Sequence, residues 1–301
     1  NKNKMKRIFI IISCVCFSFS SIAQDDLLLM LDENSETLTF TTFKSTKIIN
    51  LQSIEQTSIN ELDFVISHRF GPLNSGYSEL YGLDIASMRM IFNYGMTENV
   101  SITLARSSAE KVIDASVKYR LLTQGFKKYP VTISSYSSLF YDTLAAKWWA
   151  VDSITSNKNI GFQQQILIAS KINSNLSVQL SPIYTNYYEC NQEDFTGEKI
   201  NSWALGIGGR YKINRGISIN SEWVPVLMNN GDILDPFKNN TTINSFSIGV
   251  DIETGGHVFQ LFATNSSRMS DKGFIHQNTD KWNDGGVYFG FNISRTFNFN
   301  L

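Results

Sequence analysis

From Glu61 to the end of the chain, apolar and polar residues alternate in twelve stretches separated by turn residues, as expected of strands whose two faces meet different surroundings. The predicted strands are Glu61–Phe70, Ile85–Tyr94, Asn99–Arg106, Lys111–Leu122, Val131–Asp142, Ile160–Ile172, Leu176–Tyr188, Ile200–Ile213, Gly216–Leu227, Thr242–Glu253, His257–Asn265 and Gly286–Phe299. Parity sorts each strand into two faces. In Ile200–Ile213, Trp203, Leu205, Ile207, Tyr211 and Ile213 oppose Ser202, Ala204, Gly206, Gly208, Arg210 and Lys212. In Lys111–Leu122, Ile113, Ala115, Val117, Tyr119 and Leu121 oppose Asp114, Ser116, Lys118 and Arg120, and Thr242–Glu253 repeats the division. One face is greasy and the other is small or charged.

The connections between these strands alternate in length, apart from a brief loop near Ser107–Glu110 and a middling turn at Thr123–Pro130. Gly95–Glu98, Asn173–Asn175, Asn214–Arg215 and Thr254–Gly256 are tight and rich in Asn and Gly, as hairpin turns require. Between them fall long polar loops, among them Gly71–Asp84, Thr143–Asn159, Glu189–Lys199, Met228–Thr241 and Ser266–Gly285. Short turns on one side, long loops on the other, an even strand number and an apolar outer face together predict a closed antiparallel transmembrane β-barrel. Closure is a physical requirement, because an open sheet edge in hydrocarbon leaves backbone groups unpaired. The barrel is expected over residues 61–301. Arg295 falls on the apolar face of the last strand, so either a bulge shifts parity there or the residue sits near an interface.

The start of the chain changes the picture of location. Met5, Lys6 and Arg7 followed by an apolar run to Ser20 and small residues at Ser21 and Ala23 predict a signal peptide over residues 1–23, with Asn1–Lys4 upstream of the initiator. The Cys14 segment also loosely fits a lipidation box, but its apolar core would be short. Cys190 alone would remain after cleavage, which precludes an intramolecular disulfide. Residues 24–60 precede the regular pattern: Asp25–Glu33 reads as a short helix and Thr37–Asn50 as extended. The whole segment is expected to be a periplasmic strap or a plug in the lumen.

Loss of Lys2, Lys4, Lys6 and Arg7 reduces 26 basic residues to 22 against 27 acidic, a net charge of −5. That balance argues against a nucleic-acid partner, which needs a concentrated basic face. Hydrophobic content of 42% is ordinary, as it should be where half of each strand faces water.

Several stretches carry a resemblance: TFKSTKIIN at 42–50 with its preceding Thr41, ELDFVISHRFG at 61–71, IGGRYKI at 207–213, DIETGGHVFQLFATNS at 251–266 and GGVYFGFNISRTF at 285–297. They resemble an uncharacterised family of outer-membrane β-barrel proteins, a domain of unknown function, from Bacteroidota-type bacteria. The resemblance implies fold and location and transfers no functional residue. The alternating aromatic residues of the last strand likewise resemble the C-terminal signal read by the barrel-assembly machinery.

The candidate functional residues are the polar ones on the inner face. Parity places Asp63, Arg69, Arg89, Asp114, Lys118, Arg120, Lys171, Arg210, Lys212, Glu222, Asp251 and Glu253 in the lumen. Charges of both signs there could line an aqueous path and set its selectivity, or could pair and stiffen the tube.

Other constellations are weaker. Ser67 adjoins His68, but neighbours on a strand point to opposite faces, so this pair cannot act as nucleophile and base. Glu253 and His257 flank a turn and lack further metal ligands. His276 with Asp271, Asp280, Asp284 and Trp282 in the last long loop is either an external ligand or calcium site or a solvated loop. Tyr141, Trp148, Trp149, Tyr187, Tyr188 and Trp223 read as interfacial girdle residues, with the Trp148–Trp149 pair also placed to stack on a ligand.

The expected function is a passive channel or small-solute pore of a Gram-negative outer membrane. The alternatives are a scaffold barrel binding another envelope protein and a lipid-acting hydrolase. Outer-membrane lipid and the assembly machinery are the expected partners, and no cofactor or metal is expected.

Overall fold

A run such as ELDFVISHRF can bury its polar face only if something polar fills the space behind it. The computed structural model, which describes residues 41–125, 129–143, 159–190, 197–230, 232–233 and 243–299, shows what does. The long strands are β1 Glu61–Pro72, β2 Ala86–Gly95, β3 Val100–Ser107, β4 Val112–Leu122, β5 Thr132–Asp142, β6 Ile160–Lys171, β7 Leu176–Cys190, β8 Gly197–Lys212 and β9 Ile217–Val224. Two short pieces, β10 Val226–Asn229 and β11 Asp232–Ile233, precede β12 Ser245–Thr254, β13 His257–Thr264 and β14 Tyr288–Asn298.

Among the described residues twelve long antiparallel strands form one sheet, in the order β1 to β9 followed by β12, β13 and β14. Pairing of β14 with β1, in regular register from Glu61↔Asn298 to Arg69↔Gly290, closes the ring. Each of the twelve long strands is thereby paired on both sides, which is what lets a sheet cross hydrocarbon. No helix among the described residues is long and apolar enough to cross a membrane, and the crossing is made by strands.

The turns explain their own sequences. Asn173 Oδ1 accepts from the amides of Asn175 and Leu176, and Asn214 Oδ1 from those of Gly216 and Ile217. Gly255 and Gly256 have φ of 45° and 93°, which glycine adopts without a steric penalty.

One predicted strand is broken. Gly216–Leu227 splits at Pro225, which has no amide to donate, and the register against β8 shifts between Val226 and Met228. Arg295 is settled as well. The pairing β1–β14 runs through it without a bulge, and it lies opposite His257 beside the Gly255–Gly256 turn, near an interface rather than at midplane.

The faces divide as parity demands. Leu104, Val117, Leu121, Leu139, Trp203, Tyr211, Ile248 and Leu261 are exposed on the outside, while Asp63, Ser67, Gln163, Ser181, Ser202 and Asn292 are buried within. Residues 42–57 lie inside the tube, with Phe43, Ile48, Leu51 and Ile54 in the largest buried apolar cluster. Its described part, Thr42–Asn50, is a succession of bends rather than the expected extended strand.

Residues 265–287, between β13 and β14, enter from the opposite, long-loop end. A short helix α1, Asp271–His276, capped by the Ser270 hydroxyl, is buried along its whole length. The expected signal peptide at residues 1–23, residues 24–40 and Trp148–Trp149 lie outside the described residues.

Candidate functional site: a lumen filled from both ends

The inner wall is polar but not uniformly so. On β5 to β10 the inward positions Tyr136, Leu167, Ala169, Ile183, Ala204, Val224 and Val226 form an apolar patch. Against it pack Phe43, Ile48, Leu51 and Ile54 of the segment 41–60, here called the strap. Phe274 and Ile275 of α1, in the loop here called the lid, pack there too. Glycines make the room: a Cβ on Gly208 would sit 2.2 Å from Cδ1 of Ile48, and one on Gly206 would sit 2.8 Å from the Leu51 methyls.

Around this apolar contact, wall side chains hold the strap by its backbone. Glu222, 1% exposed, accepts amides from three consecutive residues: Ile49 at 3.1 Å, Asn50 at 2.9 Å and Leu51 at 2.9 Å. The bends at 48–51 exist to point those amides one way, which is why the strap is not extended there. Lys118 Nζ donates to the carbonyls of Ser53 at 2.8 Å and Glu55 at 2.9 Å. Gln260, Asn292 and Gln179 donate to the carbonyls of Ile48, Ile49 and Gln52 at 2.9, 3.0 and 2.7 Å.

The lid has a corresponding latch. Glu110, in the β3–β4 loop, accepts the amides of Met269 at 3.2 Å and Ser270 at 3.0 Å, together with the hydroxyls of Ser270 and Ser107. Lys272 bonds Asp142 at 3.2 Å. Strap and lid meet at Asp271, which accepts the Tyr136 hydroxyl at 2.8 Å and lies 3.6 Å from Lys47 Nζ. Burial, with Lys272 adding to it, pushes the His276 imidazole down to about 3, so the lid closes on a neutral ring tilted 30° to that of Tyr187 at 5.4 Å.

The twelve positions assigned to the lumen divide into two groups. Asp63, Arg69, Arg89, Asp114, Lys118, Arg210, Glu222 and Asp251 are buried inside. Arg120, Lys171 and Lys212 are half-buried and Glu253 is exposed, all beside the short turns, where Glu253 pairs with Lys44 of the strap.

Among the described residues the inner charges do not form a continuous ring. Arg89 pairs with Asp114 at 2.7 Å, Asp63 accepts from Asn93 at 3.1 Å, and Asp251 accepts from Gln260 at 3.0 Å. Arg210 donates to Ser218 at 3.0 Å and to the Thr42 carbonyl at 3.2 Å. Arg69 donates to the Asn50 side chain at 2.5 Å and covers the Phe262 ring at 4.0 Å.

Sequence reasoning missed Glu110 and the apolar inner patch. The patch had a signal, since Leu167 and Ile183 interrupt otherwise polar inward rows. Glu110 had none, because its partners in the lid lie more than 150 residues away.

Other expectations are corrected. The acids of the last long loop do not gather into one site: Asp271 faces the strap, Asp280 accepts the Tyr288 hydroxyl at 2.7 Å, and only Asp284 is exposed as a solvated loop requires. Tyr187 is no girdle residue but lies buried beneath the lid with Val112, Phe140 and Ile200. His68 stacks on Phe291 at 4.9 Å on the outer face, away from Ser67.

A closed antiparallel sheet with a greasy exterior and a polar, filled interior defines a transmembrane β-barrel. The chain belongs to the family described as "Membrane bound beta barrel domain (DUF5777)", whose model matches residues 43–297. Among solved structures the fold is similar to that of NanC porin, with 8% identity, a TM-score of 0.50 and coverage of 78% of this chain and 98% of that one. KdgM porin matches at 10% identity and a TM-score of 0.44, covering 79% and 99%. An outer membrane channel from Pseudomonas putida F1 matches at 12% and 0.43, covering 81% and 97%. At such identities the likeness to NanC porin concerns architecture alone. No curated protein matches the sequence.

Proposed function

We propose that this chain is an outer-membrane channel for small polar solutes whose resting state is closed by the strap and the lid. In this reading residues 1–23 direct export and are removed, and the assembly machinery reads the alternating aromatics of β14. The observation that carries the reading is the way the lumen is filled. The occluders are joined to a polar wall by hydrogen bonds that water can replace, and in each a buried carboxylate, Glu222 for the strap and Glu110 for the lid, gathers several of them. Buried polar atoms of the wall, among them Arg89 Nε and Nη1, Gln165 Oε1 and Gln179 Oε1, lack protein partners among the described residues and are of the kind that water satisfies.

The test is planar-bilayer recording of the wild type and of the double variant Glu110→Gln, Glu222→Gln. The wild type should conduct rarely and the variant in frequent steps. Absence of conductance from both would remove the channel reading. It would then favour the second reading, a scaffold barrel, for which the apolar packing of strap and lid against the wall speaks.

A further inference from the structure

The loop joining β1 to β2 carries an exposed apolar surface. Within nine residues, Tyr77, Leu80, Tyr81, Leu83 and Ile85 are exposed, Tyr77 to 81%. The stretch 71–85 contains no Lys or Arg. A cluster of large apolar side chains at a loop tip is unfavourable in water and marks a contact surface.

The arm is held firmly. Gly82, with φ of 92°, presses its backbone on Gly71, where a Cβ would sit 2.4 Å from the Gly71 carbonyl. Leu80 and Tyr81 stand in the left-handed region at φ of 46° and 54°, which bulky residues rarely adopt. The result is that the apolar side chains are presented outward by a fixed backbone. The base of the arm is tied to the lid: Leu73 donates to the Val287 carbonyl at 2.9 Å, and Asn74 to those of Gly285 at 3.1 Å and Asp284 at 3.0 Å.

We propose that this arm is seated in the headgroup–acyl boundary of the leaflet on the long-loop side, and so braces the return limb of the lid against the membrane. The occupant is lipid because the patch, with the exposed acids Glu79 and Asp84 among its apolar residues, leads into the lipid-facing side chains of β2, Ala86, Met88, Met90 and Phe92, which belong to the interface a membrane-bound barrel must have. Two tyrosines among five apolar residues suit a zone where a ring finds apolar surroundings and its hydroxyl finds water. The proposal does not depend on whether the lumen conducts.

The experiment uses the full chain in phosphatidylcholine vesicles with a doxyl quencher at carbon 5 or carbon 12 of the acyl chain. Tyr77→Trp supplies the reporter, and the same measurement on wild type gives the baseline of its five tryptophans. The added emission should be quenched at least twofold more by the carbon-5 label than by the carbon-12 label, and should resist aqueous iodide. Adding Leu80→Asn and Tyr81→Asn keeps the left-handed backbone acceptable while removing the apolar tip. Quenching by the carbon-5 label should then fall at least twofold and iodide access should rise, with the heat-resistant mobility of the folded barrel unchanged. Free access of iodide to the Tyr77→Trp reporter with no quenching by either label overturns the proposal. So does protection that vanishes when barrels are diluted to one per vesicle, which would assign the surface to a second copy of the chain.

Discussion

Replacing Glu222 by Gln should loosen the strap without unfolding the barrel. In the native protein Oε2 accepts the amides of Ile49 and Leu51 while Oε1 accepts that of Asn50. The amide oxygen of Gln can keep two of these bonds, but without charge they weaken by about 1 kcal/mol each. The amino group of Gln faces the third N–H as one donor to another, and a buried donor left unpaired costs about 1 to 3 kcal/mol. The total is about 3 to 5 kcal/mol, and because the site is almost fully buried no allowance for solvent screening is needed. Ile48 and Leu51 remain packed, so the strap opens more often rather than leaving.

At about 1.4 kcal/mol per tenfold change, amide exchange at residues 49–51 should speed up roughly a hundredfold or more, read by hydrogen exchange and mass spectrometry on the protein in nanodiscs. Glu253→Gln is the control, since it removes only an exposed pair with Lys44 and should change exchange by under about 1 kcal/mol. Exchange at 49–51 within threefold of wild type in Glu222→Gln would refute the latch.

Three further outcomes are expected. Glu110→Gln should raise exchange across residues 266–278 by about two decades through loss of the Met269 and Ser270 contacts, while residues 48–51 stay protected. Lowering pH from 7 to 5 should weaken lid closure by about 2 kcal/mol, because the His276 value of about 3 in the closed lid lies below its ordinary 6.5. That contribution is full above 6.5 and disappears as pH falls toward 3, and His276→Phe should flatten the dependence of lid proteolysis on pH. Tyr136→Phe leaves the Asp271 carboxylate without its 2.8 Å donor and should cost about 1 to 3 kcal/mol, seen as a lower thermal midpoint with the strand content intact.

Much of the tube was legible because alternation records a physical division. Residues 62–70 pair with 86–94 one to one, so a single parity choice fixes every side chain along both strands. Pro225 was visible as a residue, yet the register shift it causes depends on β8 lying beside it. The lid was misread because Ser266–Gly285 is polar and long in sequence, and only the apolar inward face offered by Leu167, Ile183 and Ala204 gives Phe274 and Ile275 somewhere to go.

By itself the sequence determined a membrane barrel: alternation assigned inside and outside, and turn chemistry assigned the two ends. Those features are local, set by neighbours one or two residues apart. Whether the lumen stands open was decided only in three dimensions. The contacts that fill it join Glu222 to residues 49–51 and Glu110 to residues 269–270, across separations of more than 150 residues that no local pattern encodes.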